Sequence, residues 1–154
     1  MRPRVPPPLV MLLAAACMWA LDHWVPLGHW LARPWNRLGV VPGLLGVTIA
    51  GAAMVRFRQA QTTVNPLDPS KASRLVTGGV FRLSRNPMYL GLTLLLGGWA
   101  LWLGSVSPWL VPPLFVLLLT IVQITPEEQA LGQLFGEPYA DYRRRVPRWV
   151  GRPH

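Results

Sequence analysis

The chain has 154 residues, 51% of them hydrophobic and only 14% charged, with a formal net charge of +9, eight Trp, 17 Pro and a single Cys. That length suits one domain, and so apolar a composition places it among small polytopic membrane proteins, where Trp is enriched at bilayer interfaces and Pro is tolerated near helix ends. The lone Cys17 excludes an intramolecular disulfide framework and a thiolate metal cluster within one chain.

The expected fold is all-α, with about four transmembrane helices at 9–25, 38–55, 87–103 and 108–125, a cytoplasmic loop at 56–86 and an amphipathic tail at 126–154. Leu9 to Leu21 supplies 13 apolar residues before Asp22, so this span must carry Asp22 and His23 into the interface beside Trp19 and Trp24. A rival reading makes it a cleaved signal segment, with RPR as its basic start and LVMLLAAA as its apolar stretch. Leu38 to Val55 runs 18 residues without a charge and is closed by Arg56 and Arg58. The loop that follows is too rich in turn residues to be helical throughout, and Leu75, Val76, Val80 and Phe81 give it apolar anchors for packing on the membrane face.

Pro87 to Thr125 is free of charge for 39 residues. At about 1.5 Å per residue, such a helix is nearly twice as long as the roughly 30 Å hydrocarbon core. The stretch GSVSP at 104–108 divides it into a hairpin, with Arg82, Arg85 and Asn86 at its mouth. In the tail, Leu131, Leu134 and Phe135 keep helical spacing, Gly136 and Pro138 interrupt, and Tyr139, Tyr142 and Val146 resume it.

Thirteen of the 15 Lys and Arg fall on one side of this topology, leaving only Arg33 and Arg37 opposite. By the positive-inside rule both termini and the central loop face the cytoplasm, and the expected location is the bacterial inner membrane. The basic excess then requires no nucleic acid, though it suits anionic lipid headgroups. His23 and His29 are expected in an outward-facing loop and His154 is terminal, so no metal site is legible. Neither a Ser-His-Asp arrangement nor a G-x-G-x-x-G turn is present.

The order LVTGGVFRLSRNPMYLG, an uncharged hairpin, then ITPEEQALGQLFGEPYADYRRRVPRW resembles the small membrane methyltransferases related to isoprenylcysteine carboxyl methyltransferase and the phospholipid N-methyltransferases. The resemblance runs from about Thr62 to Val150. It rests on an Arg-His-Pro-x-Tyr-x-Gly motif opening a helix, and on a later Glu-Glu pair before Phe-Gly-x-x-Tyr-x-x-Tyr and a basic end. Here Asn86 stands in place of the motif His, and Gly79 in place of a Pro in the preceding turn.

The resemblance implies S-adenosylmethionine as cofactor and a lipophilic acceptor, bearing a carboxyl or amine group, that enters from the bilayer. Arg85, Asn86, Tyr89, Glu127 and Glu128 fall on positions that contribute to the cofactor pocket. Arg148 falls on a basic position linked to the acceptor, and Arg85 and Arg148 are the residues expected to act in catalysis. The same residues also have plain structural readings. Asn86 and Pro87 form a helix-starting pair, Thr125 to Glu128 reads as a capping box, and Arg82 and Arg85 read as interfacial anchors. Loss of the motif His favours an alternative: a non-catalytic membrane partner or lipid-binding protein on the same scaffold.

Overall fold

The computed structural model describes residues 5–60 and 74–151. Arg2, Arg4, Lys71, Arg152, His154 and the loop between 61 and 73 lie outside the described residues. The helices are α1 (Pro7–Trp24), α2 (Val40–Gln59, entered through a 3-10 turn at Trp35–Gly39), α3 (Pro87–Leu103), α4 (Val111–Leu119), α5 (Thr125–Phe135) and α6 (Glu137–Arg145). No strand forms among the described residues; one isolated bridge, His29 to Ser105, ties two loops at one end of the bundle.

Helix α3 occupies the expected 87–103. Pro87 supplies a first turn that needs no N–H donor, and Gly104, at φ 81°, turns the chain left-handed to end it. Asn86 sits at the N-cap position, but its side chain makes no capping bond. That corrects the helix-starting reading of its amide, which is used elsewhere.

Helices α2 and α3 approach until their backbones touch. A Cβ built on Gly91 would lie 2.5 Å from the Gly46 carbonyl oxygen and 2.8 Å from Ala50 Cβ, and Gly39 and Gly98 make the same kind of approach one end further on. Small residues permit such contact between apolar helices, whose association without water depends on close packing. Helix α1 covers α3 and α4 through the fully buried Met18, and Trp99 Nε1 donates to the Ala15 carbonyl at 3.1 Å.

The expected division between a span ending at 125 and a tail starting at 126 is corrected. Ser107 to Phe135 is one helical run of 29 residues. Its hydrogen bonding widens to a π turn at Thr120–Ile124, just before Pro126. Pro126 cannot donate to the carbonyl four residues back and its ring crowds it, so a widened turn lets the helix continue. Thr125 Oγ1 donates to the Thr120 carbonyl at 2.8 Å. Because the backbone is already helical at Ile124, where α5 continues the run, and no side chain caps it, the capping-box reading of Thr125 and Glu128 is also corrected.

Among the described residues two helices, Trp35–Gln59 and Ser107–Phe135, are long and apolar enough to cross a membrane; α3 is apolar but shorter. At the end where α2 leaves and α3 begins, Phe81, Ala53, Tyr139, Tyr142 and Val146 form a second core, against which Leu75, Val76, Val80, Leu131 and Phe135 pack. The loop anchors and the α6 face therefore meet as expected. Leu134, 45% exposed, does not join them. His23 belongs to α1, as the span at 9–25 requires, and not to the outward-facing loop with His29; it stacks on Trp19 with ring centres 5.4 Å apart.

Candidate functional site

The segment Ser84-Arg85-Asn86 runs beside the chain at Pro147 and Arg148. The Arg85 amide donates to the Pro147 carbonyl at 2.9 Å. Ser84 Oγ and Asn86 Nδ2 both donate to the Arg148 carbonyl, at 3.1 and 3.0 Å, and the Asn86 amide donates to Ser84 Oγ at 3.1 Å. These bonds fix the tail against the mouth of α3 and set where the two arginine side chains start.

Both arginines converge on Glu128. Arg148 donates through Nε to Oε1 at 3.1 Å and through Nη2 to Oε2 at 2.6 Å, the two-pronged geometry a planar guanidinium favours. Arg85 Nη1 stands 2.9 Å from Glu128 Oε1, with both side chains less than a tenth exposed. That contact is ionic rather than aligned, since Arg85 Nη1 and Nε have no hydrogen-bond acceptor among the described residues. One turn along α3, the Tyr89 hydroxyl donates to Glu127 Oε1 at 2.7 Å.

These groups form the polar end of a cavity of about 610 Å³. The rest of its wall is mainly apolar, with Val47, Ala50 and Met54 from α2 and Met88, Leu92 and Leu95 from α3. Val47 and Met54 are themselves 56% and 40% exposed, so this end opens to the helix surface. Burial, reinforced by the Glu128 carboxylate, pushes the Tyr139 hydroxyl above its ordinary 10.0, against the pull of Arg85. Burial, with Tyr139 beside it, pushes Tyr142 up further. Both phenols therefore stay protonated near neutrality; Tyr142 uses its proton to donate to the Phe81 carbonyl at 2.7 Å.

Arg85, Asn86, Tyr89, Glu127, Glu128 and Arg148, spread over sixty-odd residues of sequence, thus come together at one end of the bundle. All but Arg148 line the cavity wall, and Arg148 enters it only through Glu128. Sequence reasoning passed over Ser84, which is fully buried and braces the Arg148 backbone. It placed Tyr139 in the tail's helical spacing and in the Tyr-x-x-Tyr motif without giving it a role in the site. A hydroxyl inside the SRNP turn was the available signal for Ser84; nothing local marked Tyr139 as a neighbour of Arg85.

The sequence profile of the phospholipid methyltransferase family matches residues 35–138. A protein-S-isoprenylcysteine O-methyltransferase of Schizosaccharomyces pombe is 31% identical over 103 residues, 67% of this chain and 44% of its own length. Protein-S-isoprenylcysteine O-methyltransferase B of Arabidopsis thaliana is 26% identical over 129 residues, 79% of this chain and 60% of its own. An uncharacterized protein of Haemophilus influenzae is 43% identical across its full length, which covers 41% of this chain. The chain thus spans about half the length of the named relatives it matches. No solved structure matches it. With the profile spanning Arg85, Tyr89 and the Glu127-Glu128 pair, the chain belongs to the phospholipid methyltransferase family, alongside relatives named as isoprenylcysteine methyltransferases.

Proposed function

We propose that this protein transfers a methyl group from S-adenosylmethionine to the carboxyl or amine group of a lipophilic acceptor at the cytoplasmic membrane face. The observation that carries the reading is Arg85: a guanidinium over nine-tenths buried, charge-paired with Glu128 through Nη1 but with its Nε lacking an acceptor among the described residues, at the polar end of an apolar cavity. A buried cationic donor left unsatisfied is costly, and an incoming carboxylate removes that cost. The amino-acid end of the cofactor has such a carboxylate, and its ammonium and ribose diol suit the adjacent Glu127 and Glu128 oxygens. The residues present therefore fit the group.

When bound, the cofactor supplies an electrophilic methyl on a sulfonium. The protein's tasks are alignment and exclusion of water, since charge is neutralised as the methyl moves. Arg85 would hold the carboxylate, Tyr89 fixes Glu127, and Arg148 fixes Glu128 while Asn86 and Ser84 fix Arg148. In this reading Asn86 acts by positioning the tail, which an amide does without an imidazole. The apolar wall between α2 and α3 takes the acceptor's hydrocarbon, and its opening faces lipid. A carboxyl acceptor reacts as its anion and needs no base; an amine must first lose a proton.

The reading places α1 to α4 across the membrane with the site on the side of the basic excess. Its test is equilibrium binding of S-adenosylmethionine to the purified protein, followed by transfer of labelled methyl to prenylcysteine and phospholipid-amine acceptors. Arg85→Gln is expected to weaken cofactor binding by roughly 10-fold to 150-fold, the equivalent of one charge-assisted contact. Absence of cofactor binding by the wild-type protein would overturn the proposal in favour of a non-catalytic lipid-binding role.

A further inference from the structure

Gln123 is a buried amide in a charge-free run. It lies in the π turn at Thr120–Ile124 and is 2% exposed, while its neighbours Ile121 and Val122 face outward. Turns of this kind recur at functional positions in helices. Gln123 Nε2 donates to the Val5 carbonyl at 2.8 Å, across 118 positions of sequence. Only the nitrogen of an amide can donate to a carbonyl, so the orientation is fixed, and Oε1 is left buried with no partner among the described residues. Burying an amide that is only half satisfied costs stability, so packing alone gives no reason for a Gln here in place of an apolar side chain.

The carbonyl that Gln123 holds belongs to the peptide joining Val5 to Pro6. Pro6, Pro7 and Pro8 follow, and all three line the cavity whose polar end holds Arg85 and Glu128. Proline has a fixed φ and no N–H, so this stretch is stiff and has no amide donors with which to anchor itself. From α2, Val47, Gly51 and Met54 line the same cavity. A Cβ built on Gly51 meets nothing within 4 Å among the described residues, so that wall leaves free space. Gln123 itself does not line the cavity. Its effect on a ligand therefore passes through the prolines it holds.

We infer that Gln123 is a positioning residue for the acceptor: its bond to Val5 keeps the triple-proline segment in place as an apolar wall of the cavity, and so sets the size of the hydrocarbon chain that fits. The ligand's identity rests on the methyl-transfer reading; the tether rests on the geometry alone. With the bond removed, the wall loses its anchor and the acceptor is held more loosely. The groups assigned to the cofactor keep their own bonds, Tyr89 to Glu127 and Arg148 to Glu128, neither of which involves Gln123. Stability does not follow the loss, because an apolar replacement removes an unsatisfied buried oxygen and the exposed Val5 can turn its carbonyl to water.

The experiment compares the full chain in detergent with Gln123→Leu, and with Gln123→Met, unbranched like Gln, if the first does not fold. S-adenosylmethionine affinity is measured beside steady-state methylation of two acceptor pairs: S-farnesylcysteine with the shorter S-geranylcysteine, and phosphatidylethanolamines of long and short chain. The KM of the preferred acceptor is expected to rise about tenfold, the equivalent of losing contact with about two buried methylene groups, while kcat stays within about twofold and cofactor affinity and melting temperature do not fall. Gly51→Leu fills the cavity from α2 with the tether intact, and is expected to shift preference to the shorter acceptor. In a Cys17→Ser background, spin labels at Val5 and at Trp35, at the far end of α2, are expected to show a broader distance distribution in Gln123→Leu than in its parent. Unchanged KM in both Gln123 variants, or a loss of cofactor affinity with KM unchanged, overturns the inference. A wild-type protein that binds no cofactor and methylates neither pair sinks the methyl-transfer reading instead. The spin labels then decide the tether: broadening supports it, and unchanged distances overturn it.

Discussion

Arg148 grips Glu128 through both carboxylate oxygens, at 3.1 and 2.6 Å, across 20 residues of sequence, while Arg85 presses on the same carboxylate from the mouth of α3. Glu128 thus holds two guanidinium groups together. Replacing it with Gln removes the charge and leaves the buried Arg85 without its counter-ion. Glu128→Gln is expected to cost about 3 kcal/mol of stability, seen as a lower melting temperature in detergent. Glu127→Gln, which still accepts from Tyr89, is expected to change it by less than about 1 kcal/mol. Equal melting of Glu128→Gln and wild type would return Glu128 to the status of a spectator.

The glycine contact between α2 and α3 gives a prediction with an internal control. Gly91→Ala places a methyl 2.5 Å from the Gly46 carbonyl, between two backbones that cannot give way cheaply. It is expected to destabilise by about 1 to 3 kcal/mol. Gly97→Ala, with nothing within 4 Å of the new Cβ among the described residues, is expected to be neutral or to stabilise by about 0.5 to 1 kcal/mol through helix propensity. Matching melting temperatures for the two variants would refute the close approach.

How much of this was legible beforehand depended on whether the signal was local. Helix α3 was readable because a charge-free run lay between Asn86-Pro87 and Gly104, each a strong boundary by itself. The join between α4 and α5 was not. Thr125-Pro126-Glu127-Glu128 is also what a helix start looks like, and only the π turn upstream lets Pro126 sit inside a continuous helix. The six site residues were singled out through a motif resemblance. Their pairings, such as Asn86 with the Arg148 carbonyl across 62 positions, depend on how the tail returns to the bundle.

Topology is open to direct labelling. In a Cys17→Ser background, Cys at Trp35 or Val150, positions 64% and 66% exposed, gives one reporter at each end of the bundle. An impermeant thiol reagent is expected to label position 35 in intact cells and position 150 only after permeabilisation, following the distribution of Lys and Arg. The reverse pattern would place the methyl-transfer site in the wrong compartment.

The paired phenols predict an alkaline limit to stability. Burial raises the Tyr139 hydroxyl above its ordinary 10.0, with Glu128 adding to the shift, and burial likewise raises Tyr142. Between the unfolded and folded values the native state holds more protons than the unfolded chain, so stability is fully present below about pH 10 and falls as pH rises beyond it. In a Tyr89→Phe background the only tyrosines left are these two. Phenolate absorbance is then expected to appear together with loss of helical circular dichroism as the pH passes 10, not ahead of it. Tyr139→Phe removes one of the two coupled groups and is expected to flatten that alkaline decline. A phenolate signal that titrates near pH 10 while the helices remain intact would mean that these hydroxyls reach water, and that α6 does not seal the polar end of the cavity.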